Sequence, residues 1–194
     1  MARIHINANG PDSAGGYFSY IVNLLNEISI IDRKNDYTIW ANGQIYESLR
    51  SLDHNFKVIR SRKFLNFSFF RFLWMQFYLP FLLLIKRSDI LFSPLNASPF
   101  ILKILNIRSI MVLHSNLPWT NPKYLPYGYI KAKLLKVFKN QSLKCSDTII
   151  CVSRFAMKEI IKKTNIAREK FTYVHLGTNF LSKNRKVKKE NFFL

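Results

Sequence analysis

The chain holds 194 residues, with 30 Lys and Arg against 11 Asp and Glu, for a formal net charge of +19. Apolar residues at 48% and aromatics at 15% exclude a disordered or collagen-like chain, and the length suits one large domain or two small ones. Two cysteines, Cys145 and Cys151, provide neither a disulfide framework nor a Cys/His metal cluster, as in a reduced, intracellular globular protein.

The opening residues MARIHINANG carry one Arg and no long apolar core, so they do not read as a signal peptide. Beyond them, short apolar runs alternate with amphipathic segments. Strands are expected at residues 4–8, 37–41, 56–59, 89–92, 109–113, 148–152 and 171–174. Helices are expected at 16–31, 67–85, 127–145 and 154–163, with shorter ones at 44–52 and 99–105. This alternation specifies right-handed crossovers and an α/β, Rossmann-like domain, a parallel sheet with helices on both faces.

Two helices bear on partners. Residues 72–85 are uncharged and interrupted by Pro80; a bilayer crossing needs about 18 apolar residues, so this run reads as a buried or interfacial helix. In the helix at 127–145, Ile130, Leu134, Val137 and Phe138 follow the spacing of one buried stripe. Lys131, Lys133, Lys136, Lys139 and Lys144 lie mostly off that stripe, either as a solvated face or against anionic lipid headgroups. The dispersed Lys and the lack of a nucleic-acid motif argue against a specific nucleic-acid partner. After Val174 the pattern decays into a basic stretch and then Asn191-Phe192-Phe193-Leu194. The expected organisation is therefore a domain over 1–180, a linker over 181–190, and the first residues of a missing C-terminal domain at 191–194.

Polar and Gly-rich chemistry gathers at four strand ends. Gly10, Gly15 and Gly16 follow the first strand; such a loop either frees amides for an anion or permits a tight turn, and it matches neither the dinucleotide fingerprint nor the Walker loop. His114 follows the strand at 109–113, at the carboxyl edge where open α/β sheets bind ligands. Asn96, Ser115, Asn116, Ser153 and Arg154 lie at the same edge, and Ser153 stands where it would cap the helix at 154–163. Paired carboxylates, metal-ligand spacing and a nucleophile elbow are all missing from the sequence.

The order and spacing of several short motifs resemble the N-terminal, acceptor-side domain of GT-B glycosyltransferases of the retaining family numbered four. They are the run from Arg3 to Asn9 leading into Gly15-Gly16-Tyr17, then Trp74-x-Gln76-x-x-x-Pro80 and Asp89-Ile-Leu-Phe-Ser-Pro94. Val112-Leu-His114, the run from Cys145 through Asp147 to Ser153, and Val174-His-Leu-Gly177-Thr-Asn179 complete them. The resemblance implies half of a two-domain cleft that transfers a sugar, with retention, from a nucleotide-sugar donor to a glycan or lipid-linked acceptor, without metal or other cofactor. It assigns the donor diphosphate to Gly15 and Gly16, a catalytic contact with the donor sugar to His114, and the acceptor to Tyr17, Asn96, Ser115, Asn116, Ser153 and Arg154. Many relatives carry Asp where this chain has Ser115, and the donor domain with its glutamate pair is absent, so the isolated chain is expected to be inactive. A cytoplasmic location, peripheral on the inner membrane face, is expected on the same resemblance, and the chain reads as a fragment, a truncated frame or one half of a split gene whose C-terminal domain is separately encoded. The alternative is a non-catalytic basic module bound to an anionic membrane surface.

Overall fold

The structure is a computed structural model, and it describes residues 1–10, 15–122 and 128–177. The loop residues 11–14 and the expected linker and domain start at 181–194 lie outside the described residues.

Seven parallel strands form one sheet in the order β3-β2-β1-β4-β5-β6-β7. They are β1 (Arg3–Ala8), β2 (Asp36–Ala41), β3 (Phe56–Arg60), β4 (Ile90–Ser93), β5 (Arg108–Leu113), β6 (Thr148–Cys151) and β7 (Phe171–Tyr173). Each lies within a residue or so of its sequence expectation. The helices are α1 (Gly16–Ile31), α2 (Gly43–Leu49), α3 (Ser68–Leu73), α4 (Leu79–Ile85), α5 (Leu117–Thr120), α6 (Tyr129–Cys145) and α7 (Arg154–Lys163). The chain order reverses between β1 and β4, so the carboxyl ends of these strands mark the topological switch point where ligands of such sheets bind.

Alternation along the strands divides the core between the two faces. Ile6, Ala8, Ile39 and Ala41 pack with Ile21 and Leu25 of α1 and Ile45 and Leu49 of α2. On the opposite face Trp40 and Leu91 meet Met75, Leu79 and Leu83. A third cluster joins Met111, Leu113, Ile149 and Cys151 to Leu143 of α6 and Ile160 of α7. Two aspartates fix register at the amino edge. Asp89 accepts the Arg3 amide at 2.7 Å, and Asp147 accepts the Ser109 amide at 2.8 Å, each just before its own strand begins.

Residues 68–85 run as α3, a π-helical turn at Trp74–Tyr78, and α4. A proline ring clashes with the carbonyl four residues earlier, here Gln76, and the wider π turn makes room for Pro80 without breaking the helix. These 18 residues are long and apolar enough to cross a membrane, but only 22% of the segment is buried in the fold. Met75, Leu79 and Leu83 point into the core, while Phe69, Phe77, Phe81 and Leu84 lie exposed.

Two expectations fail. Residues 99–105 form no helix: they make a turn closed by Ile107 N donating to Leu102 O at 3.1 Å, with Asn106 at a φ of +55° sending the chain into β5. In α6, Ile130, Leu134, Val137 and Phe138 are not buried but 75%, 52%, 56% and 39% exposed. The helix rests instead on Ala132, Ser142 and Leu143. Ser142 Oγ accepts the Ser98 amide at 3.2 Å and donates to Ser98 O at 3.1 Å. Small residues and this paired hydrogen bond select the inner face, so the larger apolar stripe turns outward. There Phe138 meets Phe72 at 4.8 Å and stacks on Phe100 at 6.5 Å, which joins the stripe to the half-buried Phe72 of α3.

Candidate functional site

The loop leaving β1 is held by residues from two neighbouring segments. The Asn42 side chain, at the end of β2, accepts the Gly10 amide at 3.0 Å and donates to Gly10 O at 2.9 Å, copying a backbone pairing. The Arg71 guanidinium donates to Gly10 O, Leu65 O and Asn66 O at 3.1–3.3 Å. Arg71 is thus a half-buried clamp, and burial lowers its pKa. A Cβ on Gly10 would lie 2.3 Å from Tyr17 Cε1, so glycine is required there by close approach.

Gly15 is the N-cap of α1, and Gly16 opens its first turn; both are exposed. That turn holds no acidic side chain, and the helix end presents partial positive charge at the switch point. Beside it a pocket of about 390 Å³ lies between α1 and the carboxyl ends of β5–β7, lined by Gly16, Ser19, Tyr20, Val152 and residues 174–177.

His114 stands at the end of β5. Its Nε2 lies 2.8 Å from Pro94 O, which can only accept, so Nε2 carries the proton and Nδ1 keeps its lone pair. Burial lowers the His114 pKa, partly offset by the Pro94 hydrogen bond, so the ring is neutral at pH 7. Tyr20 and Tyr17 meet the ring edge-on, at 4.7 and 6.1 Å. Asn96 Oδ1 accepts the His114 amide at 2.7 Å and so fixes the histidine backbone.

The remaining expected residues share the rim. Ser115 Oγ accepts the Leu117 amide at 3.3 Å, and Asn116 O accepts the amides of Trp119 and Thr120 at 3.0 and 3.1 Å. Ser153 Oγ caps α7 through the Ala156 amide at 3.1 Å, as the sequence implied, and Arg154 beside it is exposed. Tyr17 is placed differently from an open contact residue: its hydroxyl is buried without a hydrogen-bond partner among the described residues, and burial raises its pKa strongly. Asn7 Nδ2, Asn9 Oδ1 and Ser93 Oγ are also buried and unpartnered there, all at the carboxyl ends of β1 and β4. Four of the six buried side-chain atoms without a hydrogen-bond partner among the described residues thus come from the carboxyl ends of β1 and β4 and the start of α1.

Sequence reasoning missed Asn42, Arg71 and Tyr20. A lone arginine at the head of a long apolar run was the available signal for Arg71. Among the described residues no three His, Cys, Asp or Glu side chains gather as a metal site. Cys151 is buried, which pushes its thiol up to about 11 and leaves it unreactive at neutral pH.

Fold and site together define a Rossmann-like domain of the kind from which GT-B glycosyltransferases are built. Residues 14–180 match the profile of Glycosyltransferase Family 4, and the chain belongs to that family. No curated protein matches it in sequence. Its structure is similar to HepE of Anabaena in complex with UDP, with a TM-score of 0.54 and 11% identity over 92% of this chain and 44% of that one. It also resembles the lipopolysaccharide outer core galactosyltransferase WaaB, with a TM-score of 0.53 and 12% identity over 89% of this chain and 45% of WaaB. A UDP-N-acetylglucosamine 2-epimerase from Rickettsia bellii superimposes with a TM-score of 0.57 and 12% identity over 89% of this chain and 44% of the epimerase. The chain spans less than half the length of these three proteins.

Proposed function

We propose that this domain is the acceptor-side half of a retaining glycosyltransferase, moving a sugar from a nucleotide-sugar donor to a glycan or lipid-linked acceptor. The observation that carries the reading is His114: a neutral imidazole, fixed by Pro94 and Asn96, at the carboxyl edge of a Family 4 domain. Its Nδ1 lone pair can accept a hydrogen bond from a sugar hydroxyl without a proton transfer. Gly15 and Gly16, exposed at the N-terminus of α1, would face the donor diphosphate and stabilise its charge as it leaves. Asn116, Ser115, Ser153 and Arg154 would meet the acceptor, while Tyr17 and Asn96 act by positioning His114. No metal or other cofactor is needed in this scheme.

A half-cleft cannot exclude water from the reacting centre, so the 194-residue chain alone is expected to give no turnover. The test is transfer of label from nucleotide-sugars, by the chain alone and by the chain joined to any donor half encoded downstream or separately. In the joined enzyme His114→Ala should cost about 10²-fold in kcat. Full activity in that variant would refute the role of His114.

The outward apolar stripes of α3–α4 and α6, with the lysines of α6 and Lys86 and Arg87 beside them, support a further part of this proposal. The domain works on the cytoplasmic face of an anionic membrane, where basic and apolar contacts act together.

A further inference from the structure

A second cavity, of about 750 Å³, opens on the far side of α3–α4 from α6. It exists because of the crossover. The helix leaving β3 must pass over β2 and β1 to reach β4, so it cannot also cover the edge strand β3. Trp40 and Ile59 form the sheet side of the groove, and Phe70, Trp74, Tyr78 and Leu82 form the helix side. From Phe70 to Leu82 the groove follows the helix for roughly 18 Å at about 1.5 Å per residue. It is long and apolar, and its volume falls in the range of about 300–1,000 Å³ typical of small-molecule sites.

Its ends are basic. Arg60 and Arg62 stand at the carboxyl-edge end and Lys86 at the other, with no acidic side chain among the described residues of the lining. Arg60 lies 3.7 Å from Glu47, which also pairs with Arg50 at 3.1 Å, so one carboxylate faces two guanidinium groups and Arg62 adds a further cation. The carboxyl-edge end also adjoins the candidate site. Leu65 lines the groove, and its carbonyl shares the Arg71 guanidinium with Gly10 O.

We propose that this groove holds the hydrocarbon chain of an anionic lipid, with the phosphate of its headgroup against Arg62 and Arg60 and its polar end directed to the loop after β1. The inference rests on the reading of a lipid-linked acceptor and assigns that lipid a seat. Phe77 belongs both to the groove wall and to the exposed face of the helix, so a chain can enter sideways from a bilayer.

The test uses the 194-residue chain and dodecyl phosphate brominated near the chain terminus, below its micellar concentration. Trp40 and Trp74 line the groove, whereas Trp119 is buried in the separate cluster with Leu143 and Ile160. Saturable quenching that disappears in the Trp40→Phe/Trp74→Phe variant is expected. Arg62→Glu, at an exposed position that does not threaten folding, should weaken binding at least about tenfold, and Leu82→Trp should block it by filling the groove. Inorganic phosphate alone should leave emission unchanged. Non-saturating quenching, equal affinity for brominated dodecyl maltoside, or unchanged binding by Arg62→Glu would overturn the proposal. Binding without use of lipid acceptors would keep the groove and remove the acceptor reading; sugar transfer to a lipid without binding here would do the reverse.

Discussion

Gly10→Ala is the sharpest perturbation of the loop after β1. The added Cβ would meet Tyr17 Cε1 at 2.3 Å, Cδ1 at 2.9 Å and Cζ at 3.4 Å, the first two closer than carbon atoms approach. Gly10 cannot retreat, because Asn42 holds both its amide and its carbonyl and Arg71 holds the carbonyl again. The Tyr17 ring must therefore shift, and its neighbour on that side is His114, 6.1 Å away edge-on. Overpacking of this kind costs about 1–3 kcal/mol. In a chain of this size that corresponds to a fall in Tm of about 2–12 °C. Urea unfolding followed by far-UV circular dichroism measures the cost. The same substitution in a Tyr17→Val background removes both clashing atoms and should cost less than about 0.5 kcal/mol. Equal costs in both backgrounds, additive within about 0.5 kcal/mol, would refute the contact.

Three further predictions follow from other parts of the structure. Asn42→Ala leaves the buried Gly10 amide without its partner and should cost about 2–3 kcal/mol, read in the same unfolding assay. His5 is buried against Trp40 and Ser88, and burial, with Lys86 and Arg3 nearby, pushes its pKa down to about 4. The unfolded chain then binds the extra proton first, so stability is fully present above pH 6.5 and falls by up to about 3 kcal/mol as pH drops toward 4. His5→Gln should remove most of that slope, although His114, also lowered, retains a part; an unchanged slope would refute the assignment. Co-sedimentation should capture the chain on anionic vesicles and weaken as salt rises, and Phe77→Ser/Phe81→Ser should reduce it at any salt. Equal capture on neutral vesicles would exclude an electrostatic contribution.

The sheet was legible because most strands are short apolar runs bounded by polar residues, as in Thr148–Cys151, and because capping is local: Ser153 bonds an amide three residues away. His114, Gly15 and Gly16 were placed correctly at the carboxyl edge for the same reason, since the end of a strand fixes the edge of the sheet. The outward stripe of α6 was not legible, because spacing identifies an apolar face but not what covers it. Ala132 and Ser142 won the inner side through close approach and the Ser98 hydrogen bonds, a tertiary fact. Nor does a sequence show that Asn42 and Arg71 converge on Gly10, since these partners lie 32 and 61 residues away.

On the function proposed above, nucleotide-sugar chemistry belongs to the carboxyl edge at the β1/β4 switch point. Titrating UDP into the isotopically labelled chain and following the amide and imidazole NMR signals tests it most directly. Saturable shifts at Gly15, Gly16 and the His114 ring, with His114 Nε2 remaining protonated, are predicted. Shifts confined to the lysines of α6, or rising linearly without saturation, would contradict it.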